Sequence, residues 1–511
     1  MLGYPVPLAM ATQHPDSASR GFTVEEEVEE ALRDLLPRSR GGLGLDEKMI
    51  DYEGKLTPYH QVSWVVEETL RHGLQPGEDF LLTPRIPSER LEDPERQIMV
   101  LWGVLVANKK SIVKAGSQAV KYIITPMCSS GYEVYVLQRR ILKMQRLAEE
   151  ELGVKTGYIE VIPLVEDMEA LLHVDKILEG MKNVLLTHLG LHYSHYRVLL
   201  GKSDTALAYG HAASSIALVY ALSRLYKWAE EENTRVHPIM GVGALPFRGH
   251  LSPWSVEVFV KQYSGYSTVT IQSGIRYDQG PRAVEKVVST LLENLHEKPR
   301  ILSSEEEKLL INIARLFTSE YLRFILRVVE LIPHIAVFVP RRRARLSHGE
   351  YPRSIEMSLA FAAEKELLAM KPPKNLKLPR AISYAASLYT MGVPPSLIGL
   401  GRGLQRVERE LGGEALELLL KVLPLLRHDM EYDIRFYVPE VAISYIRDEK
   451  AMQLLKDDVS IVRSFLGGNT AEPSEEYVET LKSAERAIKL GIKEAAEQAI
   501  ARAGVMRGSL G

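Results

Sequence analysis

The chain has a single cysteine, Cys128, among 511 residues. It therefore forms no disulfide within itself and offers no thiolate cluster to a metal. Long apolar runs are missing too, and none approaches the roughly 20 residues that span a bilayer. The opening stretch MLGYPVPLAMATQHPD lacks the basic flank and apolar core of a secretory leader. A cytoplasmic protein with no membrane partner is expected. Neither charge sign dominates: the formal net charge is −3, so no global field draws nucleic acid or anionic lipid. Asparagine and cysteine are scarce while Glu, Arg and Lys are plentiful, which leans toward a thermophilic source.

What is present is an ordinary globular composition, 46% hydrophobic and 25% charged, enough for a large core and an enclosed site. Short apolar or β-branched runs recur, each ending in polar residues and followed by a helical pattern. The candidate strands are 8–14, 48–53, 79–85, 121–127, 158–166, 196–204, 237–247 and 268–274. Helix-like stretches follow at 24–36, 62–72, 94–109, 131–150, 167–182, 206–231, 254–263 and 281–297. Eight such alternations fit an α/β fold of the (β/α)8 TIM-type barrel. A doubly wound sheet predicts a glycine-rich GxGxxG turn after its first strand, and none occurs there. The expected organisation is a barrel over 1–300 carrying most of the site, and an α-helical region over 301–511 packed on it. Segments 305–332, 394–426 and 475–504 have the apolar spacing of helices. A basic stretch at 339–353, with Arg341, Arg342, Arg343 and Arg345, interrupts them as a solvated face, a subunit contact or an anion site. It has no interleaved aromatics of the kind a nucleic-acid patch uses.

In a barrel, the C-terminal strand ends face the active-site mouth. Those ends carry His14, Arg85, Glu166, Asp204 and Arg248. Glu166 and Asp204 come one strand apart, and two carboxylates completed by water and substrate oxygens suit Mg²⁺ or Mn²⁺. Helix capping is the competing reading, although Asp167 and Glu169 are better placed for it. His14 precedes a proline, and a neutral imidazole can move a proton near pH 7; a structural histidine is the alternative. Arg85, Arg248 and Arg380 are the anion candidates, with Arg276 a weaker companion, because guanidinium pairs bidentately with phosphate and carboxylate. For each, a surface ion pair is the alternative. His188, His192 and His195, in THLGLHYSH, could suggest a metal site, but the segment lacks a clear helical pattern and zinc is not expected there.

The segments MATQHPDSAS, DYEGKLTPYHQ, LLTPRIPSER, EVIPLVEDMEAL, KSDTALAYGHAAS, ALPFRGHLSP, TIQSGIRYD and LPRAISYAASLYTMGVPPSLIGLGRGL run in order from residue 8 to residue 405. Together they resemble archaeal-type phosphoenolpyruvate carboxylase. The resemblance implies a largely helical, barrel-based homotetramer that needs Mg²⁺ or Mn²⁺ and makes oxaloacetate and phosphate from phosphoenolpyruvate and bicarbonate. It implies Glu166 and Asp204 as metal ligands and His14 as the essential histidine of a His-Pro motif. Arg248 resembles the bicarbonate arginine of a glycine-rich loop, Arg85 an arginine on the substrate phosphate, and Arg380 one that helps hold the reacting anions. Compared with the longer bacterial and plant enzymes, Val242 stands where a second loop arginine is found and Leu207 where a lysine follows the Ser-Asp motif. The chain reads GSLG in place of an Asn-containing tail, which leaves regulation by aspartate, malate or acetyl-CoA open. Another metal-dependent barrel lyase or phosphotransferase acting on phosphoenolpyruvate or pyruvate is the alternative enzyme, and a helical assembly protein the alternative outside catalysis.

Overall fold

A computed structural model describes residues 6–341, 351–370, 377–468 and 470–511. In it eight runs of aliphatic residues pair, all in parallel, into one closed ring. The strands are β1 (Ala9–Ala11), β2 (Glu47–Asp51), β3 (Leu81–Arg85), β4 (Tyr122–Thr125), β5 (Glu160–Val165), β6 (Tyr196–Gly201), β7 (Val236–Gly241) and β8 (Thr268–Ile271). Ala9 lies opposite Val269, so β1 and β8 close the ring. Nearly every strand residue is buried, as expected when helices cover the outside and side chains fill the inside.

Seven of the eight strands begin and end within two residues of a run expected to be extended, or lie inside one. β1 is the shortest against its expectation. After Thr12 donates to the Ile271 carbonyl, the chain leaves the ladder, and the Gln13 side chain rather than its backbone accepts from the Asp51 N–H. Residues 12–14 thereby become the start of a loop over the mouth.

Inside the ring, Met10, Met49, Leu81, Tyr122, Ile124, Ile162, Leu164, Leu199 and Ile239 form one apolar cluster. Below it, toward the N-terminal strand ends, lies a buried polar layer. Arg197 donates two bonds to Glu47, at 2.8 and 2.7 Å, and a third to Thr268 Oγ1 at 3.1 Å. Thr83 Oγ1 also donates to Glu47, and the Arg197 guanidinium sits 4.8 Å from the centre of the Tyr122 ring. Glu47 and Arg197 thereby neutralise each other and close the lower end, while burial raises the pKa of half-buried Glu160, at the start of β5, to about 7.

The first outer helix, Val24–Leu35, starts with a reciprocal cap between Thr23 and Glu26. Its inward face is acidic: Glu30 and Asp34 meet Lys48 of β2, at 2.9 and 2.6 Å. Beyond the barrel the chain is helical. Helix Ser304–Val328 has its own cap between Ser303 and Glu306 and packs on helix His211–Glu231. Helix Ala381–Thr390, buried along nearly its whole length, points its N-terminal end at the barrel mouth. Of the basic stretch, residues 342–350 lie outside the described residues, whereas Arg341 lines the mouth. Among the described residues no helix is long and apolar enough to cross a membrane.

Candidate active site

The C-terminal strand ends enclose a cavity of about 210 Å³. Its walls carry five cationic side chains, Lys55, Arg85, Arg248, Arg341 and Arg380, and four acidic ones, Asp16, Asp51, Glu166 and Asp204; Lys202 lines them too, but burial lowers its pKa to about 7 and its Nζ donates to the His211 carbonyl at 2.7 Å. A larger space of about 820 Å³ adjoins it over β4 and β5, and Glu166, Asp204 and Arg380 line both.

Glu166 follows β5, and Asp204 lies in the first turn of helix Ser203–Tyr209 after β6. Thr205 ties the two strand ends together, its hydroxyl donating to the carbonyls of Glu166 and Gly201 at 2.7 and 3.1 Å. Gly201 makes the approach feasible: a β-carbon there would lie 2.7 Å from that of Glu166. Burial, and then the neighbouring Asp204 carboxylate, push Glu166 up to about 8. Among the described residues no side chain hydrogen-bonds to either carboxylate. Two half-buried, repelling carboxylates with no donor between them are a donor set that fits a divalent cation. No third His, Cys, Asp or Glu among the described residues joins them, so water or substrate oxygens would complete the shell.

The other acids of the mouth are already engaged. Asp51 takes a two-point contact from Arg85 Nε and Nη2, both at 2.8 Å, and lies 3.0 Å from Lys55. Glu53 accepts from Arg380 Nη1 at 2.9 Å. These pairings fix where the guanidinium groups stand. The Asp51 and Glu53 carboxylates, aided by Arg85's fork on Asp51, hold the Arg85 pKa above its ordinary value against the effect of burial.

Arg248 comes from the loop after β7, in the short turn Pro246–Arg248. Gly249, at φ +114°, permits the reversal, and His250 follows at φ +55°. Asp429 of helix Leu425–Asp433 anchors this loop through His250 Nδ1 at 2.6 Å and also pairs with His211 at 2.8 Å. Arg248 donates to Ser203 Oγ at 3.0 Å, Gln272 Oε1 at 2.6 Å and the Gly511 carbonyl at 3.2 Å. Burial lowers its pKa to about 10, which leaves it cationic at neutral pH.

Two expected residues are not in the cavity wall. Arg276 was expected to contact substrate; it is instead fully buried outside the ring, paired with Asp34 and, at 3.1 Å, Glu30. The reason is local: helix Val24–Leu35 presents those two acids one turn apart, and Arg276 also donates to the Thr12 carbonyl. His14 has its backbone at the mouth, where its carbonyl accepts from Lys55 Nζ at 2.9 Å. Its ring, however, turns away from the cavity to lie between Phe22 and Tyr277, with centroids 4.3 and 5.5 Å away. Nε2 is 2.6 Å from the Arg20 carbonyl and Nδ1 is 3.5 Å from Glu30. Despite burial, Lys48, Arg276 and His14 hold Glu30 well below the usual carboxylate range.

Arg85, Arg248, Arg380, Glu166 and Asp204 do converge on one mouth. Sequence reasoning missed Asp51, Glu53 and Lys55, although the run KMIDYEGK places all three at the end of an expected strand. It also missed Ser203, Gln272 and Gly511, the partners of Arg248. The first two adjoin expected strand ends; nothing local marks the third.

A closed parallel ring whose mouth gathers a carboxylate pair and five cations makes this a (β/α)8-barrel enzyme with a strongly charged, enclosed site. The chain belongs to the phosphoenolpyruvate carboxylase family, whose pattern it matches over residues 6–511. It is 36% identical over 482 residues to a phosphoenolpyruvate carboxylase of Methanosarcina barkeri, covering 92% of this chain and 90% of the relative. A Thermofilum pendens protein of the same name is 36% identical, with 95% of this chain and 98% of the relative covered. One from Methanopyrus kandleri is 35% identical, with 86% and 84% covered.

Proposed function

We propose that this chain converts phosphoenolpyruvate and bicarbonate into oxaloacetate and phosphate, using Mg²⁺ or Mn²⁺, as a cytoplasmic homotetramer. The observation that carries this reading is the pair Glu166 and Asp204, with no hydrogen-bonded partner among the described residues, facing an excess of cations in one small cavity. Glu166 and Asp204 would hold a divalent cation, which would supply positive charge where the enolate oxygen gains negative charge.

The chain's own groups do the rest. Arg85 and Arg380 hold phosphate and carboxylate oxygens, since phosphoryl transfer depends mainly on positioning. A bicarbonate oxygen attacks phosphorus, the bond from phosphorus to the enol oxygen breaks, and carboxyphosphate and the pyruvate enolate result. Loss of the carboxyphosphate proton releases phosphate and CO₂, and the enolate carbon attacks CO₂ beside Arg248. His14 is the assigned proton acceptor, a role that requires its ring to turn from Phe22 toward the cavity. Enclosure matters because water would protonate the enolate and yield pyruvate.

A malate dehydrogenase-coupled assay with phosphoenolpyruvate, in which bicarbonate and Mg²⁺ are varied independently, tests the proposal. Oxaloacetate formation should require both. Turnover of phosphoenolpyruvate without bicarbonate dependence would instead favour another barrel lyase or a phosphotransferase.

A further inference from the structure

We infer that Glu53 is a positioning residue that sets the spacing of two anion-binding guanidinium groups, Arg85 of the barrel and Arg380 of the helical part. The inference rests on the proposed reaction and adds to it a residue with no assigned role. One oxygen serves both cations: Glu53 Oε2 accepts from Arg380 Nη1 at 2.9 Å and lies 3.5 Å from Arg85 Nη2. Two guanidinium groups side by side repel, and a carboxylate between them turns that repulsion into a bridge. Substrate oxygens that touch both groups then meet them at a fixed separation.

The carboxylate stands on a rigid base. Glu53 is 2% exposed and sits in the turn that follows β2. Gly54, at φ +62°, makes the turn, and its N–H donates to Glu92 at 2.9 Å. Arg96 pairs with Glu92 at 3.0 Å and donates to the Lys55 carbonyl at 2.6 Å, while Thr57 Oγ1 closes the loop onto the Asp51 carbonyl at 2.8 Å.

The two cations depend on Glu53 unequally. Asp51 grips Arg85 at two points, so Arg85 keeps its orientation without Glu53. Arg380, whose side chain is 28% exposed, reaches across from the start of another helix and meets Glu53 Oε2 at 2.9 Å. Removing the Glu53 charge should therefore act mainly through Arg380.

The test is steady-state kinetics of the full chain with Mg²⁺, for Glu53→Gln, Arg380→Ala and the double variant. Glu53→Gln should raise KM for phosphoenolpyruvate about tenfold, while KM for bicarbonate stays within about twofold. On the Arg380→Ala background the same substitution should change KM by less than about twofold, since coupled residues do not act additively. An unchanged or lowered KM in Glu53→Gln, or two effects that multiply in full, overturns the inference. Should Glu53→Gln fail to fold, Glu53→Asp keeps the charge but withdraws the oxygen, and should raise the same KM about threefold; native kinetics in that variant would overturn the inference as well. If the native chain makes no oxaloacetate, the proposed reaction itself fails. If it does and Glu53→Gln matches it, only the positioning role is lost.

Discussion

The two ends of the barrel use the same kinds of side chain for opposite purposes. At the lower end, Glu47 and Arg197 meet at two points with Thr83 and Thr268 around them, and the charges cancel. At the upper end, five cations and four acids surround open space, and two of the acids have no hydrogen-bonded partner among the described residues. Pairing charges within a ring seals it; leaving them mismatched around a cavity creates a place for ions of both signs. The difference separates stability from chemistry, and each end can be probed for one without the other.

Breaking the sealed end should have the largest effect. Arg197→Met leaves Glu47 buried without its counterion and should cost about 3–5 kcal/mol of stability, read from denaturant melts. Adding Glu47→Leu should recover most of that loss, and molecules that remain folded should keep near-native turnover. A loss under about 1 kcal/mol would mean that the layer is not a closed charge core. At the open end the pattern should reverse. Glu166→Ala or Asp204→Ala should lower turnover about 10²–10³-fold, equivalent to about 2.7–4 kcal/mol, with melting essentially unchanged.

Metal affinity sharpens the comparison further. Glu166 has its pKa raised to about 8, so below that pH a bound cation must displace a proton. Mg²⁺ affinity measured by calorimetry should therefore fall by about tenfold for each pH unit below about 8 and level off above it. Glu166→Gln should flatten the curve. The smallest effect concerns Arg248: Arg248→Ala should raise the bicarbonate requirement several-fold more than the phosphoenolpyruvate requirement, and equal shifts would remove its special role. His14→Asn should separate the products, with bicarbonate-dependent phosphate release outlasting oxaloacetate formation.

Much of the fold was legible because barrel strands and their helices leave different periodicities, and every strand emerged near its expected run. Glu166, Asp204, Arg85 and Arg248 were legible for a positional reason, since strand ends point at the mouth. Arg276 also follows a strand, yet its side chain runs back outside the ring to Glu30 and Asp34. Proximity along the chain says nothing about which side of the wall a long side chain takes. His14 shows the same limit at a finer scale: its backbone is at the mouth, but a carboxylate and a carbonyl behind the wall hold its ring. Gly511 is out of reach of any local pattern, because its bond to Arg248 spans 263 positions.

The ring also constrains how the chain can assemble. Its last seam joins Ala9 to Val269, so the first and eighth strands are each other's neighbours while lying far apart in sequence. During synthesis β1 has to wait with one open flank until the eighth strand emerges, a topology that favours slow, late closure. The waiting edge is three residues long and so exposes little template for pairing with another nascent chain.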